Sequence, residues 1–455
     1  MIILYIYFVY IGISLQELQL PTVTGASRPT TGAGLGSGVL SRRTFLIVFS
    51  FTACWYLTSS RNAVASQRLV QQYEELHNNE DENSNHGHTP FGMMIALTAL
   101  QLLVGFIICM ILLSSISFIN RASLKESPKD INERMFNIPS RGAWVKSRKG
   151  LAAVGLLHFL GCLCTNMGFA FGSASVVQVI KLLEPIETLL LTAIFNIVVL
   201  GTWHGVTCIK TISVIIIVLG TSLLLMQKSI EQNVNYESVS FALCSGIFMA
   251  SRNVTKKILN QGINAQDNDK EKDWIEAAMS GMSNFCTITA LAAIPATLFL
   301  VLVEILSSTG SKGTITLWML ETSGRAGKEA IFFHGLYNIA SISVLSLISA
   351  QSHSLLNVGK RIFNVITAAI IFHEPIGPNG CFGLCIAACG GILYSCGPDF
   401  VRRYNRSMDS AGRNFKIFFV ILILLLVINA WTQSNGVKNY IPKVLDYEPV
   451  SSPKL

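Results

Sequence analysis

Lys360 and Arg361 stand side by side at the head of an apolar run that ends near Phe372. Lys181 stands in a second apolar run and Arg252 in a third. A cation at the centre of a membrane helix costs roughly 2.5–3.5 kcal/mol on insertion scales. Such residues persist where they face a protein interior or a water-filled cavity and meet an anion there. A competing reading puts the Lys-Arg pair at a membrane surface, with both long side chains reaching back to water. The inventory of charges favours the cavity. The apolar segments hold Lys181, Lys210, Arg252, Lys360 and Arg361 against Glu184, Glu187 and Glu374. Glu184 is near enough to Lys181 along a helix to pair with it. Lys210 lies near a segment start, where it can snorkel. Lys181, Arg252, Lys360 and Arg361 remain as surplus positive charge. Low-dielectric walls around such a surplus favour a compact polyanion. Phosphate fits, because arginine presents a planar fork and lysine a point charge.

Enzyme chemistry has little to work with. There is no G-x-S-x-G, no metal-ligand cluster and no Walker loop. His158, His334 and His353 lie in or near apolar segments, where a lone histidine is more often a packed hydrogen-bonding residue than a catalyst. The 11 cysteines fall in apolar runs, which suits packing and not a disulfide framework. Cys381, Cys385 and Cys389 share one helical face, and Gly383, Ala387 and Gly391 form a row of small residues. That pattern reads as a close helix–helix seam, not a metal site. His86 and His88 sit in an acidic stretch and read as solvated loop residues. No cofactor and no nucleic-acid partner is expected.

The elements that must position these charges are membrane helices. Of 455 residues 51% are hydrophobic and only 13% charged, against about 25% charged in soluble proteins. Apolar segments near 44–65, 91–119, 150–172, 174–199, 204–226, 237–258, 280–306, 329–351, 355–373 and 379–397 are each long enough to span. An eleventh, Phe415–Trp431, follows a basic linker that holds Arg402, Arg403, Arg406, Arg413 and Lys416. Ten spans put the basic 120–149 and 256–279 loops, that linker, Arg42 and Arg43 on one side of the membrane, as the positive-inside rule asks. The 66–90 loop, with Glu74, Glu75, Glu80, Asp81 and Glu82, falls on the other side. Lys312, Arg325 and Lys328 are exceptions on that outer side.

The chain resembles itself. Ser60-Arg61-Asn62 answers Ser251-Arg252-Asn253, and Lys181 answers Lys360, each pair in the same order within its half. Five spans per half is an odd number, so the second half must be inverted. Inverted repeats are a transporter signature, with the site at their interface near the midplane. The expected organisation is therefore all-α: a first five-helix repeat over 44–226 and a second over 227–397. Residues 1–43 read as a targeting or disordered segment. Met1–Ser14 has the character of a signal-peptide core, and Leu18–Arg43 is rich in Ser, Thr and Gly with no acid except Glu17 just before it, which suits an organellar transit peptide. Residues 398–455 form a basic linker, the extra segment and a tail.

These residues carry a family resemblance. The stretch Phe45–Tyr394 is similar to the plastid phosphate translocators, in the triose-phosphate and nucleotide-sugar branch of the drug/metabolite transporter superfamily. Where that family reads VSFTHVIKALEPFF, this sequence reads ASVVQVIKLLEPIE; where it reads HSVGNCVKRVxVI, this sequence reads HSLLNVGKRIFNVI. The family's LYNQ is matched by Leu336-Tyr337-Asn338-Ile339. The resemblance implies that Lys181, Lys360 and Arg361 hold phosphate, with Arg252, Tyr337 and Thr165 completing the site. It implies that Cys162, in HFLGCLCTNMGFA, occupies a specificity position. Triose-phosphate members carry histidine there and phosphoenolpyruvate members asparagine, and the surrounding pattern is nearer the latter. The implied activity is exchange of a phosphorylated small metabolite for inorganic phosphate across a lipid bilayer, the plastid envelope being favoured. The alternatives are a Golgi or endoplasmic-reticulum nucleotide-sugar transporter, or a membrane protein that regulates secretory traffic without transporting.

Overall fold

The computed structural model describes residues 42–79, 90–124, 141–200, 208–232, 235–264, 274–307, 316, 319, 321, 324–348, 350–374 and 376–407. Among them every extended element is an α-helix. In chain order these are α1 (Arg42–Asn79), α2 (Pro90–Leu124), α3 (Arg141–Ala170), α4 (Ala174–Ile180), α5 (Glu184–Leu200), α6 (Cys208–Gln232), α7 (Tyr236–Asn264), α8 (Trp274–Ser307), α9 (Gly324–Leu347), α10 (Ala350–Ile371) and α11 (Pro378–Ser407). Expectations for residues 1–41, for the acidic stretch with His86 and His88, and for the 415–431 segment lie outside the described residues.

Among the described residues five stretches are long and apolar enough to cross a membrane: Pro90–Ile116, Gly150–Ala170, Cys208–Gln227, Gly281–Leu306 and Pro378–Ser395. The protein is thus an all-helical membrane bundle. The helices left out of that set are largely those that carry polar residues into the interior. In α10 alone Asn357, Lys360, Arg361 and Asn364 recur at the spacing of one helical stripe.

One boundary differs from the sequence reading. The stretch after residue 65 is not loop but helix as far as Asn79. Leu69, Val70 and Tyr73 are buried there, at 2%, 4% and 6% exposure. They continue the inward stripe, so the helix carries on past the apolar run. Arg68, Glu74 and Glu75 are helical as a result.

The break between α4 and α5 has a local cause. Ser173 caps α4: its backbone is extended, and its hydroxyl accepts from the Val176 N–H at 3.4 Å. Past the end of α4, Pro185 has no N–H to give to the Lys181 carbonyl. The Glu184 N–H bonds that carbonyl instead, which tightens Lys181–Leu183 into a 3₁₀ turn. The chain then restarts as α5 with Glu184 and Glu187 in its first turn, where negative charge suits the helix dipole. At the other end of the site, α10 stops at His373, whose φ of 53° is left-handed. The Glu374 N–H closes the end on the Ala369 carbonyl at 2.9 Å.

Packing is pairwise. α1 lies along α9 and α3 along α7; α2 lies along α8. α2 also meets α9, α3 meets α8, and α10 meets α1 and α4. Between apolar helices in lipid, close backbone approach replaces the hydrophobic drive. A Cβ added at Gly155 of α3 would fall 2.6 Å from Leu291 Cβ of α8. One added at Gly220 of α6 would fall 2.4 Å from the Ala387 nitrogen of α11. The expected small-residue seam on α11 is formed by Gly383 and Ala387 against Gly220, and by Gly391 against Val358. Cys381, Cys385 and Cys389 stay exposed.

Candidate anion-binding site

The polar stripe of α10 faces the break between α4 and α5. Arg361 donates from Nη1 to Gln178 Oε1 of α4 at 3.0 Å and from Nη2 to Glu184 Oε2 of α5 at 3.1 Å. Asn357 donates to the same Glu184 oxygen at 3.0 Å. Asn364 donates to Ser59 Oγ of α1 at 3.0 Å. Arg361 and Glu184 form an ion pair whose side chains are 14% and 16% exposed. This corrects one expectation: Glu184 bonds across to α10 and not to its neighbour Lys181. The 3₁₀ turn that separates them sends Lys181 another way.

Lys181 donates to Thr165 Oγ1 of α3 at 2.5 Å. Thr165 in turn meets Ser245 Oγ of α7 at 2.7 Å, and Ser245 is anchored on the Gly161 carbonyl at 2.8 Å. Arg252 of α7 donates from Nη1 to His158 Nδ1 of α3 at 2.9 Å. It also grips Asn253 Oδ1 from Nη2 at 2.8 Å. His158 must then carry its proton on Nε2, which is buried and has no partner among the described residues. Cys162 is buried between two imidazoles, its Sγ 3.8 Å from His158 Nδ1 and 3.8 Å from His334 Nε2 of α9.

Lys360 is different from the other cations. It is 5% exposed, and its ammonium has two aromatic neighbours, the Trp55 ring at 4.9 Å and the Tyr337 ring at 5.8 Å. No hydrogen-bond acceptor for it is found among the described residues. Arg361 Nε is likewise buried with no hydrogen-bond partner among the described residues. The charges that act on Lys360 are Arg361, Glu184, Lys181 and Arg252. The four cations singled out in the sequence therefore share one electrostatic neighbourhood, into which Glu184 and Glu187 reach. Among the described residues no group of three His, Cys, Asp or Glu side chains is placed to hold a metal.

The sequence reading missed Gln178, Asn357, Asn364, Trp55 and the pairing role of His158. The two asparagines could have been found from the helical stripe they share with Lys360 and Arg361. Gln178 lies one turn before Lys181 and gave the same signal. Trp55 gave none, being an aromatic in an apolar run.

A helical membrane bundle with a cation-rich cluster between its helices is an arrangement that suits an anion. Residues 48–395 match the Triose-phosphate Transporter family, and the chain belongs to that family. Its members are transporters and not enzymes. Among curated relatives the chain is 29% identical over 246 residues to phosphoenolpyruvate/phosphate translocator 3, chloroplastic, of Oryza sativa subsp. japonica, covering 52% of this chain and 55% of that one. It is 28% identical over 244 residues to phosphoenolpyruvate/phosphate translocator 1, chloroplastic, of Arabidopsis thaliana, covering 53% and 54%. The same figures of 28%, 244 residues, 53% and 54% relate it to the triose phosphate/phosphate translocator, non-green plastid, chloroplastic, of Brassica oleracea var. botrytis. The match thus spans about half the length of these relatives.

Proposed function

We propose that this protein exchanges a phosphorylated small metabolite for inorganic phosphate by alternating access, as an antiporter of the plastid envelope. The observation that carries the reading is Lys360: a buried ammonium that has aromatic walls and no acceptor among the described residues. A buried charge of this kind is stable only when something of opposite sign joins it. Lys181, Arg252 and Arg361 would supply the further donors that a phosphate takes; Thr165, bonded to Lys181, and Tyr337, beside Lys360, would complete the site. The names of the relatives support the substrate class and the plastid location.

Two inverted five-helix repeats, over 44–226 and 227–397, are part of the same proposal. Exchanging the halves turns the α1–α9 pair into the α7–α3 pair, and α2–α9 into α8–α3, while α2–α8 maps onto itself. All of these pairs occur. Residues 1–43 would then serve targeting, and 398–455 would lie outside the repeats.

The test is competition. Purified protein in proteoliposomes loaded with phosphate should take up labelled phosphate, and phosphorylated three-carbon acids or sugar phosphates should compete with it. Nucleotide sugars that compete while these compounds do not would replace the proposal with its nucleotide-sugar alternative. Cys162, wedged between His158 and His334, is proposed to read the organic part. Cys162→His should reorder the competitors and spare phosphate self-exchange; an unchanged ranking would remove Cys162 from that role. Arg361→Lys should lower exchange by about tenfold or more although charge is kept, because one ammonium cannot bridge Gln178, Glu184 and a ligand as the planar fork does. Normal exchange by a folded Arg361→Lys protein would show that the fork is dispensable.

A further inference from the structure

Trp55 on α1 is 1% exposed and is held on several sides. The His353 ring of α10 stacks on it with centres 4.8 Å apart and planes 13° from parallel. His353 is itself fixed by Ser341 of α9 at 3.2 Å. The next residue, Tyr56, donates its hydroxyl to the Leu356 carbonyl at 2.6 Å, which ties α1 to α10. The indole is therefore rigid. Yet its Nε1 is buried with no acceptor among the described residues. A buried tryptophan N–H usually finds a partner, and leaving one unmade is costly. The Lys360 ammonium, which also has no acceptor among the described residues, stands 4.9 Å from the centre of this ring. Arg361 Nε, next along α10, is a further buried donor with no partner among the described residues.

Donors on α1 and on two adjacent residues of α10, none with an acceptor among the described residues, suit an acceptor with several oxygens. We infer that Trp55 is a ligand of the transported anion, its indole N–H donating to an oxygen of the oxyanion group that Lys360 neutralises. The inference rests on the proposed phosphate exchange and adds to it a neutral donor on α1, a helix that otherwise brings no ligand to the site. A phosphate or a carboxylate presents oxygens close enough together to take an N–H and an ammonium at once. The competing explanation is that Trp55 acts through its face alone, holding Lys360 by cation–π attraction.

Trp55→Phe separates the two, because it keeps an aromatic face and removes the N–H. The probe is labelled inorganic phosphate, exchanged into phosphate-loaded proteoliposomes. The expected result is a KM for phosphate raised by roughly tenfold or more, with the maximal rate little changed. Incorporating 3-benzothienylalanine in place of Trp55 puts sulfur where the N–H stands and keeps the shape of the ring. It should raise KM by a similar factor, and it carries the test if the phenylalanine variant does not fold. A KM equal to that of the unaltered protein in a folded variant overturns Trp55 as a ligand and leaves phosphate exchange standing. No phosphate exchange by the unaltered protein removes the parent proposal and this one with it.

Discussion

Lys360→Gln should reduce phosphate exchange by about thirtyfold or more. Truncating one partner of a buried, hydrogen-bonded charge pair costs about 2–5 kcal/mol, and each 1.4 kcal/mol is a factor of ten. The variant has a second signature, opposite in sign to that of an ordinary buried-lysine mutation. In the anion-free protein the Lys360 ammonium makes no hydrogen bond to a described residue, and three other cations act on it. Removing it relieves that repulsion and costs two aromatic contacts and the attraction of Glu184. The variant should therefore melt no lower than the unaltered protein when phosphate is absent. It should also lose the rise in melting temperature that phosphate gives the unaltered protein by binding the folded state. A Lys360→Gln protein that is strongly destabilised without phosphate would mark Lys360 as a structural residue.

Phosphate should enter vesicles that contain phosphate roughly a thousand times faster than vesicles that contain none. Glu184 offsets Arg361 in the empty site through the 3.1 Å ion pair. Among the described residues Lys181 hydrogen-bonds a hydroxyl, Arg252 an imidazole and an amide, and Lys360 faces two rings. Closing an occluded state around these three means burying charge without compensation, at several kcal/mol per ion after relaxation. A penalty of about 4 kcal/mol slows return of the empty carrier about a thousandfold. With phosphate bound the penalty is absent in either direction. Equal rates in loaded and empty vesicles would point to a uniport or a proton-coupled route, and His158 and His334 would then be the groups to replace.

The sequence made the α10 half of the site legible because its signal is local. Lys360 and Arg361 are adjacent charges in an apolar run, and the other cations of the apolar segments favour an interior partner over a membrane surface for them. The same holds for Lys181, where Pro185 also marks the helix break that the structure shows. What sequence could not supply was pairing. Glu184 is 177 residues from Arg361, its partner, and only three from Lys181, so local spacing favoured the wrong cation. Trp55 and His353 are ordinary residues of apolar helices until the packing of α1 against α10 stacks their rings. The end of α1 was misplaced for a related reason. Its last turns carry Arg68, Glu74 and Glu75, which read as loop, while the buried Leu69, Val70 and Tyr73 that keep it helical are too few to dominate the average.

The central claim is that the cation cluster between α3, α4, α7 and α10 binds phosphate and carries it across a bilayer. Counterflow tests it most directly. Purified protein is reconstituted into vesicles loaded with excess unlabelled phosphate, and a trace of labelled phosphate is added outside. The label should accumulate transiently inside above its equilibrium level, and vesicles bearing the Lys360→Gln protein should behave like protein-free ones. Label that stays at the protein-free level with folded, unaltered protein in the membrane would contradict the claim.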